Sequence, residues 1–120
     1  MDQIKQSILI IDDDAGISKA FSRILQKNGY TTDTAGTGKE AIEKVTKHIY
    51  AAALIDVCLP DLSGASLASK LEQLNDKMIK IVITGFPIGV TKTDADAYLV
   101  KPVNPEKLLA TLKEKLNFQT

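Results

Sequence analysis

Three consecutive aspartates, Asp12, Asp13 and Asp14, close one short apolar run of the chain, and Asp56 closes another. Thr84 ends a third run, and Lys101 follows a fourth, directly before Pro102. Carboxylates gathered in one place repel one another, by about 4 kcal/mol for a pair ~4 Å apart at an effective dielectric near 20. They stay ionised together only when positive charge sits among them. A hard divalent cation with oxygen ligands and several waters meets that need, and Mg²⁺ (or Mn²⁺) is the usual ion where phosphate chemistry follows. A carboxylate beside such an ion, a hydroxyl and a lysine is a set of parts for phosphoryl transfer. The carboxylate attacks, the positive groups neutralise the equatorial oxygens, and the hydroxyl donates to one of them. Asp56, alone at its strand end, is the candidate nucleophile, and Asp12 and Asp13 are candidate metal ligands. A single acidic residue in such a place is more often a solvated turn residue or a helix N-cap, and Asp14 is assigned to that. The order of the whole set is what carries weight.

That chemistry requires elements that bring the four strand ends to one rim. Ser7–Asp12 is a continuous apolar run of the kind found in strands buried on both faces. Ile17, Phe21, Ile24 and Leu25 then form a helical stripe ending at Asn28-Gly29, a good C-cap. Tyr30–Ala35 is β-branched and predicts a second strand, followed by a helix opening at Gly36–Gly38 with Ala41, Ile42 and Val45 inward. Ala51–Asp56 is the third strand, although alanine is a poor strand former. After a turn at Pro60–Gly64, Leu67, Ala68, Leu71 and Leu74 form the next stripe. Lys80–Thr84 and Ala97–Val100 complete the strands. The last helix has Asn104 as N-cap, Pro105 at its first position, and Leu108, Leu109, Leu112 and Leu116 as its buried stripe. Alternating strands and helices imply right-handed crossovers and a parallel sheet covered on both faces. Ligands in such sheets bind outside the carboxyl ends of the strands, which is where the polar residues stand.

Composition removes several other functions. The 120 residues make one domain, with 15 Lys and Arg against 15 Asp and Glu, whereas nucleic-acid modules usually carry excess positive charge. One cysteine, Cys58, excludes an internal disulfide framework, and with one histidine, His48, it also excludes a zinc finger or ribbon. The apolar runs Ile8–Ile11 and Ala51–Ile55 are far shorter than the ~20 residues of a spanning helix, and no export signal is visible. A cytoplasmic protein is expected, with neither nucleic acid nor membrane as a direct partner.

The segments Ile8–Asp14, Leu54–Gly64, Ile81–Gly85 and Tyr98–Val103 together resemble the receiver domain of two-component response regulators, over nearly the whole chain. The resemblance implies an α/β (βα)5 flavodoxin-like fold, doubly wound, with strand order 2-1-3-4-5. It implies that residues 1–120 are a single receiver domain with no output domain in this chain. It also implies a phosphoacceptor, not an enzyme, in which Asp56 takes a phosphoryl group from a sensor histidine kinase or a histidine phosphotransfer protein and switches binding to a downstream protein target. Asp12 and Asp13 would be the acidic pair, Asp13 the more direct ligand. Asp56 and the Cys58 main-chain carbonyl would complete the protein's share of the coordination. Thr84 would be the switch hydroxyl, Lys101 the phosphate-pairing cation and Tyr98 the switch aromatic. Tyr98 also reads simply as a half-buried strand residue. Lys101-Pro102 would be a cis peptide. The first helix, with Ile17 and Ala20, would meet the kinase.

The chain departs from the family between Thr84 and Lys101, only 17 positions apart. The family's interval is several residues longer and holds a full fourth helix. Here Gly85, Pro87 and Gly89 interrupt the segment, and Val90–Asp96 carries no apolar stripe. The fourth helix is therefore expected to be shortened or absent, and the protein to be a monomer or a weak, non-standard dimer. Cys58 and Phe86 flank the route of water to an acyl phosphate and favour slow self-dephosphorylation, unless both are simply packing residues. His48 and the Lys113–Lys115 cluster read as surface. The alternatives are a phosphate-independent interaction module, a flavin binder and a haloacid-dehalogenase-like phosphatase. The first is disfavoured because every chemical position is filled. A flavin binder would want a Ser/Thr/Gly-rich loop where the aspartates stand, and the phosphatase needs a cap and more chain.

Overall fold

The computed structural model describes residues 6–85 and 95–117. Its elements run β1 (Ser7–Ile11), α1 (Ala15–Lys27), β2 (Thr31–Ala35), α2 (Gly38–Lys47), β3 (Ala52–Asp56), α3 (Gly64–Leu74), β4 (Ile79–Thr84), β5 (Ala97–Val100) and α4 (Pro105–Asn117). All strand pairs are parallel, in the order β2-β1-β3-β4-β5. The chain forms the parallel sheet expected from the alternation of strands and helices, in the flavodoxin-like strand order that the family resemblance implies. β4 ends at Thr84 and β5 begins at Ala97, so residues 85–96 make the entire crossover. The expected shortening of a fourth helix falls on 86–94, and with it the place of Phe86, outside the described residues.

The apolar runs are continuous because the inner strands are buried on both sides. Ile8, Ile10, Ala52, Leu54, Ile81 and Ile83 pack on one face with Leu25 of α1 and Leu108, Leu112 and Leu116 of α4. Leu9, Ile11, Ala53, Ile55 and Val82 pack on the other with Ala41 of α2 and Leu67, Ala68 and Leu71 of α3. Each such Leu or Ile contributes roughly 1.5–3 kcal/mol by leaving water, and this double layer overrides the weak strand propensity of Ala52 and Ala53. Leu74 departs from the expected stripe. It sits on the last turn of α3 and is 47% exposed.

The helix ends follow local chemistry. Asp14 Oδ1 accepts from the N–H groups of Gly16 at 2.9 Å and Ile17 at 3.1 Å, making Asp14 the N-cap of α1. Gly29 closes that helix with φ 92°, a conformation that favours glycine. Asn104 caps α4 through Glu106 N–H at 2.8 Å, with Pro105 next. No helix among the described residues is long and apolar enough to cross a membrane.

Two charged networks were not foreseen. Lys80, 1% exposed within β4, donates to Met78 O at 2.8 Å and pairs with the Glu72 carboxylate of α3 and, at 3.6 Å, with Asp96. At the sheet edge, Asp33 of β2 accepts from Tyr50 Oη at 2.7 Å and from Lys44 Nζ at 2.9 Å. Burial pushes the Asp33 carboxyl up, but the hydrogen bonds from Tyr50, Lys44 and the Thr34 N–H outweigh it and hold it below the ordinary value. A carboxyl depressed in the folded state stabilises it above the unfolded pKa, near 4, and loses that contribution as pH falls through the folded value. Asp33→Asn is therefore expected to lower stability at neutral pH and to flatten the fall of stability below about pH 4. Urea unfolding across that range checks this, and an unchanged acid slope would contradict it.

Candidate functional site

The strand register sets the site. Ile11 is level with Ile55, Asp56 with Ile83, and Thr84 with Val100. Asp12 and Asp56 therefore emerge level with each other at the carboxyl rim, with Thr84 one residue further along β4 and Lys101 one residue beyond the end of β5. Carboxylate oxygens of Asp12, Asp13 and Asp56 all lie within 4.8 Å of one another. Lys101 Nζ stands 3.3 Å from Asp56 Oδ1. Asp12 and Asp56 are buried, each 6% exposed, whereas Asp13 is exposed.

Main-chain donors share the task of holding this charge. Asp12 Oδ1 accepts from the Asp14 N–H at 2.9 Å, and Asp56 Oδ1 accepts from the Cys58 N–H at 3.2 Å. Burial pushes the Asp12 carboxyl above its ordinary range, and the neighbouring Asp56 and Asp13 carboxylates push the same way. The Asp14 N–H and the Lys101 ammonium oppose them without cancelling the rise. Three carboxylates this close form an all-oxygen donor set able to hold a divalent metal ion, and a hard one by chemical type.

Thr84 is buried at the end of β4, and its carbonyl accepts from the Lys101 N–H at 2.8 Å. The Lys101-Pro102 peptide is cis. Tyr98 lies on β5, 38% exposed, on the opposite side of the strand from buried Leu99. Cys58 is an exposed residue with a free thiol. Beneath the nucleophile candidate, Gly64 opens α3 in close contact with the main chain: a Cβ there would lie 2.8 Å from Val57 Cα and 2.9 Å from the Asp56 carbonyl oxygen. Asp12, Asp13, Asp56 and Lys101 thus come together at the rim, with Thr84 joined to Lys101 through the main chain and Tyr98 three positions before Lys101 on β5. Asp61, which fastens the loop after Asp56 to α2, was missed, because its partners lie 22 and 23 positions earlier and leave no local signal.

A family model described as the response regulator receiver domain matches residues 8–113. The chain belongs to the response regulator receiver family. A solved receiver domain protein (CheY-like) from Methanospirillum hungatei JF-1 superposes with a TM-score of 0.89 at 37% identity, covering 97% of each chain. The chemotaxis response regulator CheY4 of Vibrio cholerae superposes at 0.85 with 28% identity, over 93% of this chain and 99% of that one. Response regulator MprA of Mycobacterium ulcerans (strain Agy99) is 32% identical over 114 residues, which are 91% of this chain and 49% of MprA. The chain therefore spans about half the length of that curated relative.

In this receiver the contact at Gly64 is with main chain, which cannot rotate away. Gly64→Ala is expected to cost roughly 1–3 kcal/mol of unfolding free energy through overpacking. An unchanged urea midpoint would contradict the close approach.

Proposed function

We propose that this receiver is a cytoplasmic phosphoacceptor of a two-component relay, a signalling module and not an enzyme, in which Asp56 takes a phosphoryl group from a phosphohistidine. The observation that carries this reading is the buried Asp56 carboxylate, 3.3 Å from the Lys101 ammonium and clustered with two further carboxylates. Asp12, Asp13, Asp56 and the Cys58 main-chain carbonyl would hold Mg²⁺ or Mn²⁺. Such an ion supplies positive charge to the phosphoryl oxygens and relieves the repulsion of the cluster. One Asp56 oxygen attacks phosphorus in line with the imidazole, the P–N bond breaks, and the bonding pair leaves with the imidazole, which is reprotonated. The Lys101 ammonium pairs with a phosphoryl oxygen, and the Thr84 hydroxyl donates to another.

The donor would dock beside Lys101. A hollow of about 450 Å³ lined by Ile17, Ala20 and Phe21 of α1 and by Pro102 and Val103 lies next to that lysine, and its apolar walls suit the apolar face of a phosphohistidine-bearing helix. Once phosphorylated, the protein would signal through Thr84 and Tyr98 to a downstream protein, as a monomer or weak dimer.

Intact mass after incubation with a small-molecule phosphodonor tests the core of this reading. One phosphoryl group gained by wild type in Mg²⁺, and lost in EDTA or in Asp56→Asn, is the expected result. No gain by folded, Mg²⁺-bound protein would overturn it.

A further inference from the structure

Asp61 is an exposed residue five positions after Asp56, in the loop between β3 and α3. Both of its carboxylate oxygens are engaged by main chain. Oδ1 accepts from the Gly38 N–H at 2.8 Å, and Oδ2 accepts from the Lys39 N–H at 2.9 Å. These are the first two N–H groups of α2, and the third, of Glu40, is taken by Thr37 Oγ1 at 3.0 Å. A helix start ordinarily draws such acceptors from the residues just before it, as Thr37 illustrates. Here two of them come from the loop that follows the phosphoacceptor candidate. The Gly38 and Lys39 N–H groups together hold the Asp61 carboxyl below the ordinary carboxylate range.

The same loop is fastened around that contact. The Leu62 side chain covers Gly38 so closely that a Cβ there would lie 2.6 Å from Leu62 Cδ1. Cys58 and Ser63 form a bridge across the loop, and the Gly64 N–H donates to Val57 O at 3.0 Å. At the near end, the Cys58 N–H reaches Asp56 Oδ1 at 3.2 Å. Residues 57–63 thus run from the nucleophile candidate to the start of α2 with little slack.

We propose that Asp61 is a positioning residue for the acidic site: by clamping residues 57–63 onto the first turn of α2, it holds the Cys58 N–H on Asp56 and the Cys58 carbonyl in place for a divalent cation. The cation part rests on the function proposed above. An aspartate that only capped α2 would act on that helix alone, as Thr37 does, so Thr37→Ala is the control. It removes a cap of the same helix from outside the loop.

Asp61→Ala, Asp61→Asn, Thr37→Ala and wild type would be compared by amide exchange over residues 57–63 in EDTA and by calorimetric titration with Mg²⁺. The clamp predicts faster exchange over 57–63 in Asp61→Ala and Mg²⁺ binding weakened roughly ten-fold, the low end for loss of a ligand's supporting partner. Asp61→Asn, which keeps one acceptor oxygen, should fall between it and wild type. Thr37→Ala should leave both readouts unchanged. Asp61→Ala that binds Mg²⁺ as wild type does, or Thr37→Ala that weakens it equally, would overturn the proposal. A wild type that binds no Mg²⁺ would instead contradict the proposed function. The exchange over 57–63 would then decide the clamp alone, faster in Asp61→Ala supporting it and unchanged overturning it.

Discussion

Mutual repulsion among three carboxylates is the constraint around which this receiver is arranged. Asp12, Asp13 and Asp56 crowd within 4.8 Å, and a pair at about that separation repels by roughly 3–4 kcal/mol at an effective dielectric near 20. Two of the three are buried, which removes the water that would otherwise screen them. The fold answers with fixed donors. The Asp14 and Cys58 N–H groups and the Lys101 ammonium each face one of the buried carboxylates. The rise at Asp12 shows that these donors do not fully offset burial and repulsion. Such a deficit is what a bound cation would remove.

Everything beneath the rim serves to hold that arrangement against its own charge. Parallel pairing of β1, β3, β4 and β5 fixes the order of the rim residues, and two apolar layers make a slip of register costly. Around the rim, short contacts leave the loops little freedom: Gly64 lies against Asp56 and Val57, Leu62 lies over Gly38, and Asp61 sits on the start of α2. Lys80 shows the contrasting way to bury a charge. It lies within β4 itself, satisfied by Glu72, Met78 O and Asp96 from neighbouring segments. That network fastens the return of the crossover to the sheet at Asp96, whose N–H also donates to Lys80 O at 2.8 Å.

The strands and the acidic rim were legible because their signals are local. An apolar run ending in aspartate announces a buried strand and its polar carboxyl end together, as at Ile8–Asp12 and at Ala52–Asp56. The caps at Asn28-Gly29 and Asn104-Pro105 were legible for the same reason. Long-range polar pairing was not. Asp61 meets α2 from 23 positions away, and Asp33 meets Tyr50 from 17. Nothing in the Lys80–Thr84 run tells that its lysine is buried, because its partners lie in α3 and beyond the crossover. Leu74 fitted the helical period of α3 but falls on the last turn, where nothing covers it well enough to bury it. Tyr98 sits on the exposed side of a short edge strand, a place that periodicity does not assign.

If carboxylate repulsion governs the site, neutralising one member should help the folded protein without a cation and hurt it with one. The decisive measurement is the unfolding free energy of wild type and Asp13→Asn, each in EDTA and in Mg²⁺. The account predicts a crossing. Asp13→Asn should be the more stable of the two in EDTA, and wild type should overtake it in Mg²⁺ by binding the ion more tightly in the native state. Equal stabilities in EDTA, with the same response to Mg²⁺ in both proteins, would contradict it.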